Sequence, residues 1–341
     1  MEKRSAWSRT PLRLGLAGGG TDLSVFSSIQ GGRVVNATIN RFVHVRVSES
    51  QEKATKFMSY DTGETSELGV SESSGNMPLF RKSLENILRI GKIADYPPIL
   101  VESFSDSPVG SGLGTSSSLC VGLLNALSKW FNVQIKKHDL AELAYKVERE
   151  DCGFSGGMQD QFAAAYGGLN DMLFHPEGQV SVSKISPESS FKKTLEASLI
   201  LYFTGKSRDS SAIIEGQRRK IVESDSAAFE ALVKMKGNAT NLIQSIEDGN
   251  LDTFASIIRE GWEDKKRTSS SISSNSLEQI ITRSYERGAI GAKISGAGGG
   301  GFMLLVVPFE NRNRVITWLR GMDGIVMTCN FTREGSTAWL Q

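Results

Sequence analysis

Four charged side chains stand beside glycine-rich turns: Arg13 and Asp22 bracket Gly18-Gly19-Gly20, and Glu148 and Asp160 bracket Gly156-Gly157. Between these pairs runs PVGSGLGTSSS, residues 108–118. Its alternate glycines, Gly110, Gly112 and Gly114, open φ values closed to other residues and put no side chain between backbone and ligand. Behind it, Leu119, Leu123, Ala126, Leu127 and Trp130 recur at three- and four-residue spacing, which predicts a helix with one buried face. Thr115 to Ser118 then fall at the helix start. There, unpaired N–H groups and the positive end of the dipole favour an anion, and hydroxyls can cap the turn or meet a metal. The chemistry suited to this arrangement is phosphate handling.

Two common nucleotide motifs are excluded by context. Gly205-Lys206-Ser207 imitates the end of G-x-x-x-x-G-K-[ST], but Ile200 stands where the first glycine belongs. Gly296, Gly298 and Gly301 satisfy G-x-G-x-x-G, yet the apolar run FMLLVV follows, which reads as a strand where a dinucleotide fingerprint needs a helix.

The elements that must position these groups alternate between strand and helix patterns. Leu12, Leu14 and Leu16 alternate with Arg13 and Gly15 and end in three glycines, a strand delivering Asp22 beside open backbone. VVNATI and FVHVRV (34–39 and 42–47) read as strands, 79–90 as a helix, and ILVESFS (99–105) as the strand feeding the central loop. DLAELAYKVERED (139–151) is expected to start with a capping box, Asp139 with Glu142, and to end near Glu148, where the negative helix end makes a nearby cation welcome. Residues 212–287 are mostly helical in pattern, and 289–307 place a glycine loop between two strands, with a helix and a strand after it. In the turn after LILYFTG, Lys206 and Arg208 form an anion-binding candidate, or else a basic surface loop.

Composition narrows the class. At 341 residues, two domains are expected. Lys and Arg number 39 against 38 Asp and Glu, so no global field favours nucleic acid or an anionic membrane, and neither is expected as a partner. Cys120, Cys152 and Cys329 are odd in number and widely spaced, which reads as reduced thiols. The N-terminus shows no sustained apolar run, and cytoplasmic is the expected location.

PVGSGLGTSSS resembles the second motif of the GHMP kinases, which phosphorylate small molecules with ATP. RTPLRLGLAGGGTDL resembles the first motif of that family's sugar branch, and AIGAKISGAGGGGFMLLVV the third motif. Glu148 and Asp160-Gln161 stand at the separation of the galactokinase magnesium glutamate and its Met-Asp-Gln, although Gln159 replaces the methionine. The resemblance implies an α+β, two-domain GHMP kinase fold: a ribosomal protein S5 domain 2-like N-terminal domain (1–190) and a ferredoxin-like α/β C-terminal domain (191–341). It also implies ATP along Pro108, Gly110, Ser111, Gly112, Leu113, Gly114, Thr115, Ser116 and Ser117, with Mg²⁺ on Ser116 and Glu148. Asp160, steered by Arg13, would be the base, and Gly19, Gly20, Thr21, Asp22, Gly298 and Gly299 would meet the acceptor. Should that acceptor carry its own phosphate, Lys206 and Arg208 are the expected seat.

Within the family, TPLRLGLAGGGTD with FTGKSRDSS most resembles the bacterial kinases of D-glycero-D-manno-heptose 7-phosphate, which makes a sugar phosphate the expected substrate. The alternatives are an L-fucose kinase or another neutral-sugar 1-kinase and, from another class, a non-catalytic binder of sugar or nucleotide. The sequence leaves the oligomeric state open.

Overall fold

The computed structural model describes residues 4–68, 77–108, 110–205, 210–223 and 225–341. The first half of the chain runs β1 (Ser5–Ala17), α1 (Ser24–Gln30), β2 (Gly32–Glu49), β3 (Lys56–Ser59), β4 (Thr65–Glu67), α2 (Pro78–Gly91), β5 (Ile99–Ser105) and α3 (Thr115–Trp130). It continues with α4 (Lys137–Tyr145), a π-helical turn (Lys146–Asp151), α5 (Gln159–Tyr166), β6 (Leu169–Phe174) and β7 (Val180–Lys184). Then follow α6 (Ser189–Ser198), β8 (Leu199–Phe203), α7 (Ser210–Val222), α8 (Ser226–Glu247), α9 (Leu251–Thr268) and α10 (Asn275–Glu286). The chain closes with β9 (Gly291–Ile294), β10 (Phe302–Val306), α11 (Phe309–Arg320), β11 (Ile325–Met327) and β12 (Thr337–Leu340).

Two sheets carry the architecture. The first orders its main path β12-β1-β2-β5-β3-β4, with β6 and β7 continuing from β2. The second is antiparallel with order β11-β8-β10-β9. Numbered from its own first strand, that order is 4-1-3-2, the ferredoxin-like arrangement. Helix α3 lies across β1 and β2: Ser8 Oγ donates to the Gly122 carbonyl at 2.7 Å, and Ser118 Oγ to that of Pro11 at 3.0 Å. A Cβ on Gly122 would meet Thr10 Oγ1 at 3.0 Å and Ser8 Oγ at 3.3 Å, so a side chain there would press on β1.

Alternating side chains bury both faces of the second sheet. Leu199, Leu201, Phe302 and Leu304 join the core of the first sheet, while Ile200, Tyr202, Met303 and Leu305 face a second core with Trp262 and Leu319. This explains why LILYF and FMLLV are unbroken apolar runs.

Several expectations change in detail. The segments 34–39 and 42–47 are one strand, β2, with a register shift against β1 where Pro11 pairs with Phe42 and Leu12 with Ile39; the polar Asn40-Arg41 between them is a bulge. Helix α4 begins at Lys137 behind an N-cap at Lys136, so Asp139 sits inside the first turn and forms no capping box. β12, unmarked in the sequence, returns from the expected C-terminal domain and pairs with β1 from Ala6↔Leu340 to Arg9↔Thr337. No helix among the described residues is long and apolar enough to cross a membrane, and the three cysteines are free.

Candidate active site

One cleft gathers residues from the three glycine-rich turns. Its floor is β1, whose backbone continues into Gly19, Gly20 and Asp22; one wall is the loop 110–114 with the first turn of α3. A second wall comes from Glu148 to Asp160, and a third from α7, α9 and the β9–β10 loop.

Arg13 and Asp160 form the centre. Arg13 Nε and Nη2 each donate to a different Asp160 oxygen at 2.6 Å, a two-pronged, charge-assisted pair. The same guanidinium donates through Nη1 to the Gly112 carbonyl at 2.7 Å, and the Arg13 amide donates to the Leu113 carbonyl at 3.0 Å. The carboxylate is thus tied by one side chain to the glycine loop.

That loop is also clasped by the third glycine turn. Ser295 Oγ donates to the Gly112 carbonyl at 3.1 Å, and the Phe302 amide to the Ser111 carbonyl at 2.8 Å. Gly112 has φ 76°, and a Cβ there would lie 2.6 Å from the Ser295 carbonyl oxygen. Gly112→Ala is therefore expected to raise KM for ATP about tenfold and lower Tm by several degrees, since a left-handed non-glycine residue costs ~1–2 kcal/mol before the clash. An unchanged ATP KM would show that the loop tolerates separation from its neighbour.

Glu148 lies in the π-helical turn and is almost wholly buried. Its Oε2 accepts from Ser117 Oγ and Gln161 Nε2, both at 2.6 Å, and Arg149 Nη1 stands 3.4 Å from Oε1. Arg149 is the cation that the sequence expected near Glu148. It also donates to the Ser155 carbonyl at 3.1 Å, and a Cβ on Gly156 would strike its guanidinium. The donor set fits Mg²⁺: a buried carboxylate, hydroxyls at the loop end, and a buried Gln161 Oε1 with no partner among the described residues. Ser116 is exposed on the cleft wall, while Ser117 holds Glu148.

Asp22 is buried and engaged: it accepts from the Gly20 amide and Gln159 Nε2 at 3.0 Å and from the Gln159 amide at 3.2 Å. Burial, and then the Asp160 charge, push its carboxyl above the usual aspartate value. Gln159, the departure from Met-Asp-Gln, therefore orients Asp22.

Other expected site residues stand outside the lining. Thr21 is buried and bonds the carbonyls of Gly18 and Arg33 at 2.8 and 3.0 Å, holding the turn. Gly298 and Gly299 pack on Ile272, and Gly296 and Ala297 line the cleft in their place. Pro108 and Leu113 support the loop from behind: their carbonyls accept from the amides of Ser111 and Arg13. Lys206 and Arg208 lie outside the described residues. Two lining residues had no signal in the sequence: Lys265 of α9, in a charged run, and Lys293 of β9, in a strand. Among the described residues no cluster of His, Cys, Asp and Glu has metal-site spacing.

Models of the GHMP kinases N-terminal and C-terminal domains match residues 79–168 and 242–320. The chain belongs to the GHMP kinases and has their two-domain α+β fold; it is an enzyme, an ATP-dependent phosphotransferase. Within that family it is similar to the D-glycero-alpha-D-manno-heptose 7-phosphate kinase of Campylobacter jejuni, 37% identical over 337 residues that cover 97% of this chain and 98% of that protein. A crystal structure of a D-glycero-D-manno-heptose 1-phosphate kinase from Bacteroides thetaiotaomicron has TM-score 0.82 and 32% identity, covering 98% of both chains. The L-fucokinase/L-fucose-1-P guanylyltransferase of Bacteroides fragilis is 26% identical over 328 residues, 88% of this chain and 34% of that protein.

Proposed function

We propose that this protein is an ATP-dependent sugar 1-kinase that phosphorylates the anomeric hydroxyl of D-glycero-D-manno-heptose 7-phosphate, giving the 1,7-bisphosphate for nucleotide-activated heptose. The observation that carries the reading is the Arg13 fork: it fixes Asp160 and the Gly112 carbonyl together, so a base and a phosphate loop share one cleft. The identity to the Campylobacter kinase over nearly the whole chain supports the heptose.

ATP phosphates lie along the amides of Gly110 to Ser117, and Glu148 with Ser116 or Ser117 would hold Mg²⁺, which supplies neutralisation of the phosphate charge when bound. Gly19, Gly20 and Asp22 seat the sugar. Asp160 takes the hydroxyl proton as the sugar oxygen bonds the γ-phosphorus, the bond to the β-bridging oxygen breaks, and ADP leaves. Arg13 keeps the carboxylate aimed. Positioning and charge carry most of the acceleration, since phosphoryl transfer asks little covalent chemistry of the protein.

ADP release against a panel of heptose 7-phosphate, L-fucose and galactose tests the reading, with ³¹P NMR of the product. Turnover with heptose 7-phosphate and a new anomeric phosphate is expected. Turnover with fucose alone would support the fucokinase reading, which the Bacteroides fragilis relative favours. No turnover with any sugar would leave a binder.

A further inference from the structure

Two buried lysines in the cleft have no part in the chemistry above. Lys265 and Lys293 line it at 5% and 8% exposure. Each ammonium is anchored on a backbone carbonyl: Lys265 Nζ donates to Gly296 O, and Lys293 Nζ to Leu16 O at 3.1 Å. Neither forms an ion pair among the described residues.

The groups around them do not supply that charge. Lys293 is acted on by Lys265 and Arg13, both cations. Lys265 is repelled by Arg13 and attracted by Asp22 and Asp160. Asp160, however, is taken by the Arg13 fork, and Asp22 by Gly20 and Gln159. With Arg13 and Asp160 cancelling, two ammoniums face one engaged carboxylate. Burial holds the Lys265 ammonium down to about 8 and that of Lys293 down to about 7. Ammoniums held this weakly keep their protons when a counter-charge arrives, so an anion carried by a ligand would both charge the pair and be bound by it. Lys293 sits on Leu16, next to the Gly15 that lines the cleft, and Lys265 is drawn toward Asp22 and Asp160, the groups assigned to the acceptor.

We propose that Lys265 and Lys293 form an acceptor-recognition pair whose positive charge makes this cleft select a sugar bearing a phosphate over the corresponding neutral sugar. The proposal rests on the sugar-kinase reading and names what that site discriminates. Lys265 bonds the Gly296 carbonyl of the loop that clasps Gly112, so a phosphate drawn to Lys265 also settles the third glycine turn.

Kinetics of Lys265→Met, Lys293→Met and Lys265→Arg test the pair, using the best phosphorylated acceptor and the same sugar without its phosphate. In the methionine variants, KM for the phosphorylated acceptor should rise about tenfold or more and the preference over the neutral sugar fall by the same factor, with ATP KM within about threefold of wild type. Lys265→Arg should keep the preference. In the wild type, inorganic phosphate should inhibit competitively against the acceptor and not against ATP, a readout independent of how the variants fold. An unchanged preference, an equal rise in ATP KM, or inorganic phosphate competing with ATP alone would overturn the assignment. A best acceptor that is neutral would sink the pair while leaving the kinase reading intact; no turnover with any sugar would sink both.

Discussion

Asp160→Ala is expected to lower kcat by about 10²–10⁴-fold, the usual contribution of a positioned general base. KM for ATP should stay within about threefold, because Asp160 is hydrogen-bonded to the nucleotide loop only by way of Arg13, which donates to the Gly112 carbonyl. The size of the loss follows from geometry. Both carboxylate oxygens accept from Arg13 at 2.6 Å, which fixes the carboxylate's direction in the cleft. Alanine removes the proton acceptor and leaves the buried guanidinium without its partner, so some stability is lost as well. Asp160→Asn keeps the shape and removes the charge, and its kcat should fall nearly as far, while its NH₂ set against an Arg13 donor should lower Tm as well. Either variant turning over at near the wild-type rate would take Asp160 out of the role of base.

Much of the site was legible because its chemistry sits in short segments. The strand 99–105, the loop 110–114 and the helix after it follow from glycine placement and three- and four-residue spacing, and the structure has them as β5, the cleft wall and α3. The third glycine loop lies between β9 and β10 because the run after it has a strand's composition. What escaped is tertiary. Lys265 stands in WEDKKRT, where charges ordinarily face water; nothing local says that this one of the adjacent lysines turns inward to Gly296. Lys293 is one polar position in an otherwise apolar strand, visible only once Leu16 is seen beside it.

Gln159 and Arg149 show the same limit at close range. The sequence marks Gln159 only as a departure from a motif. In the structure its side chain and amide both reach Asp22, and a Cβ on neighbouring Gly157 would lie 2.0 Å from Asp22 Oδ2. Arg149 reads as one more charge among Glu148, Glu150 and Asp151, yet it is largely buried. Both Glu148 and Arg149 line the cleft from the π-helical turn Lys146 to Asp151, the kind of local rewinding often found at functional sites. Such turns have no pattern of their own in sequence.

Glu148→Gln should lower kcat by about 10²–10³-fold at fixed Mg²⁺, comparable to removing one preorganised electrostatic contact from an active site. The amide keeps the volume of the carboxylate, so Ser117 Oγ and Gln161 Nε2 can still donate to one oxygen. The other position becomes an NH₂ facing Arg149 Nη1, a donor against a donor across 3.4 Å. Breaking such a buried pair costs about 3–5 kcal/mol where the remaining charge stays uncompensated, and the Arg149 bond to the Ser155 carbonyl offsets part of that. Stability alone therefore does not identify a metal role, and the Mg²⁺ dependence does. If Glu148 holds the cation, the Mg²⁺ concentration for half-maximal rate should rise about tenfold or more in Glu148→Gln, with Asp160→Asn leaving that midpoint where it was. A lowered Tm with an unshifted midpoint would make Glu148 an anchor for Ser117 and Arg149, and would move the search for the metal's carboxylate elsewhere in the cleft.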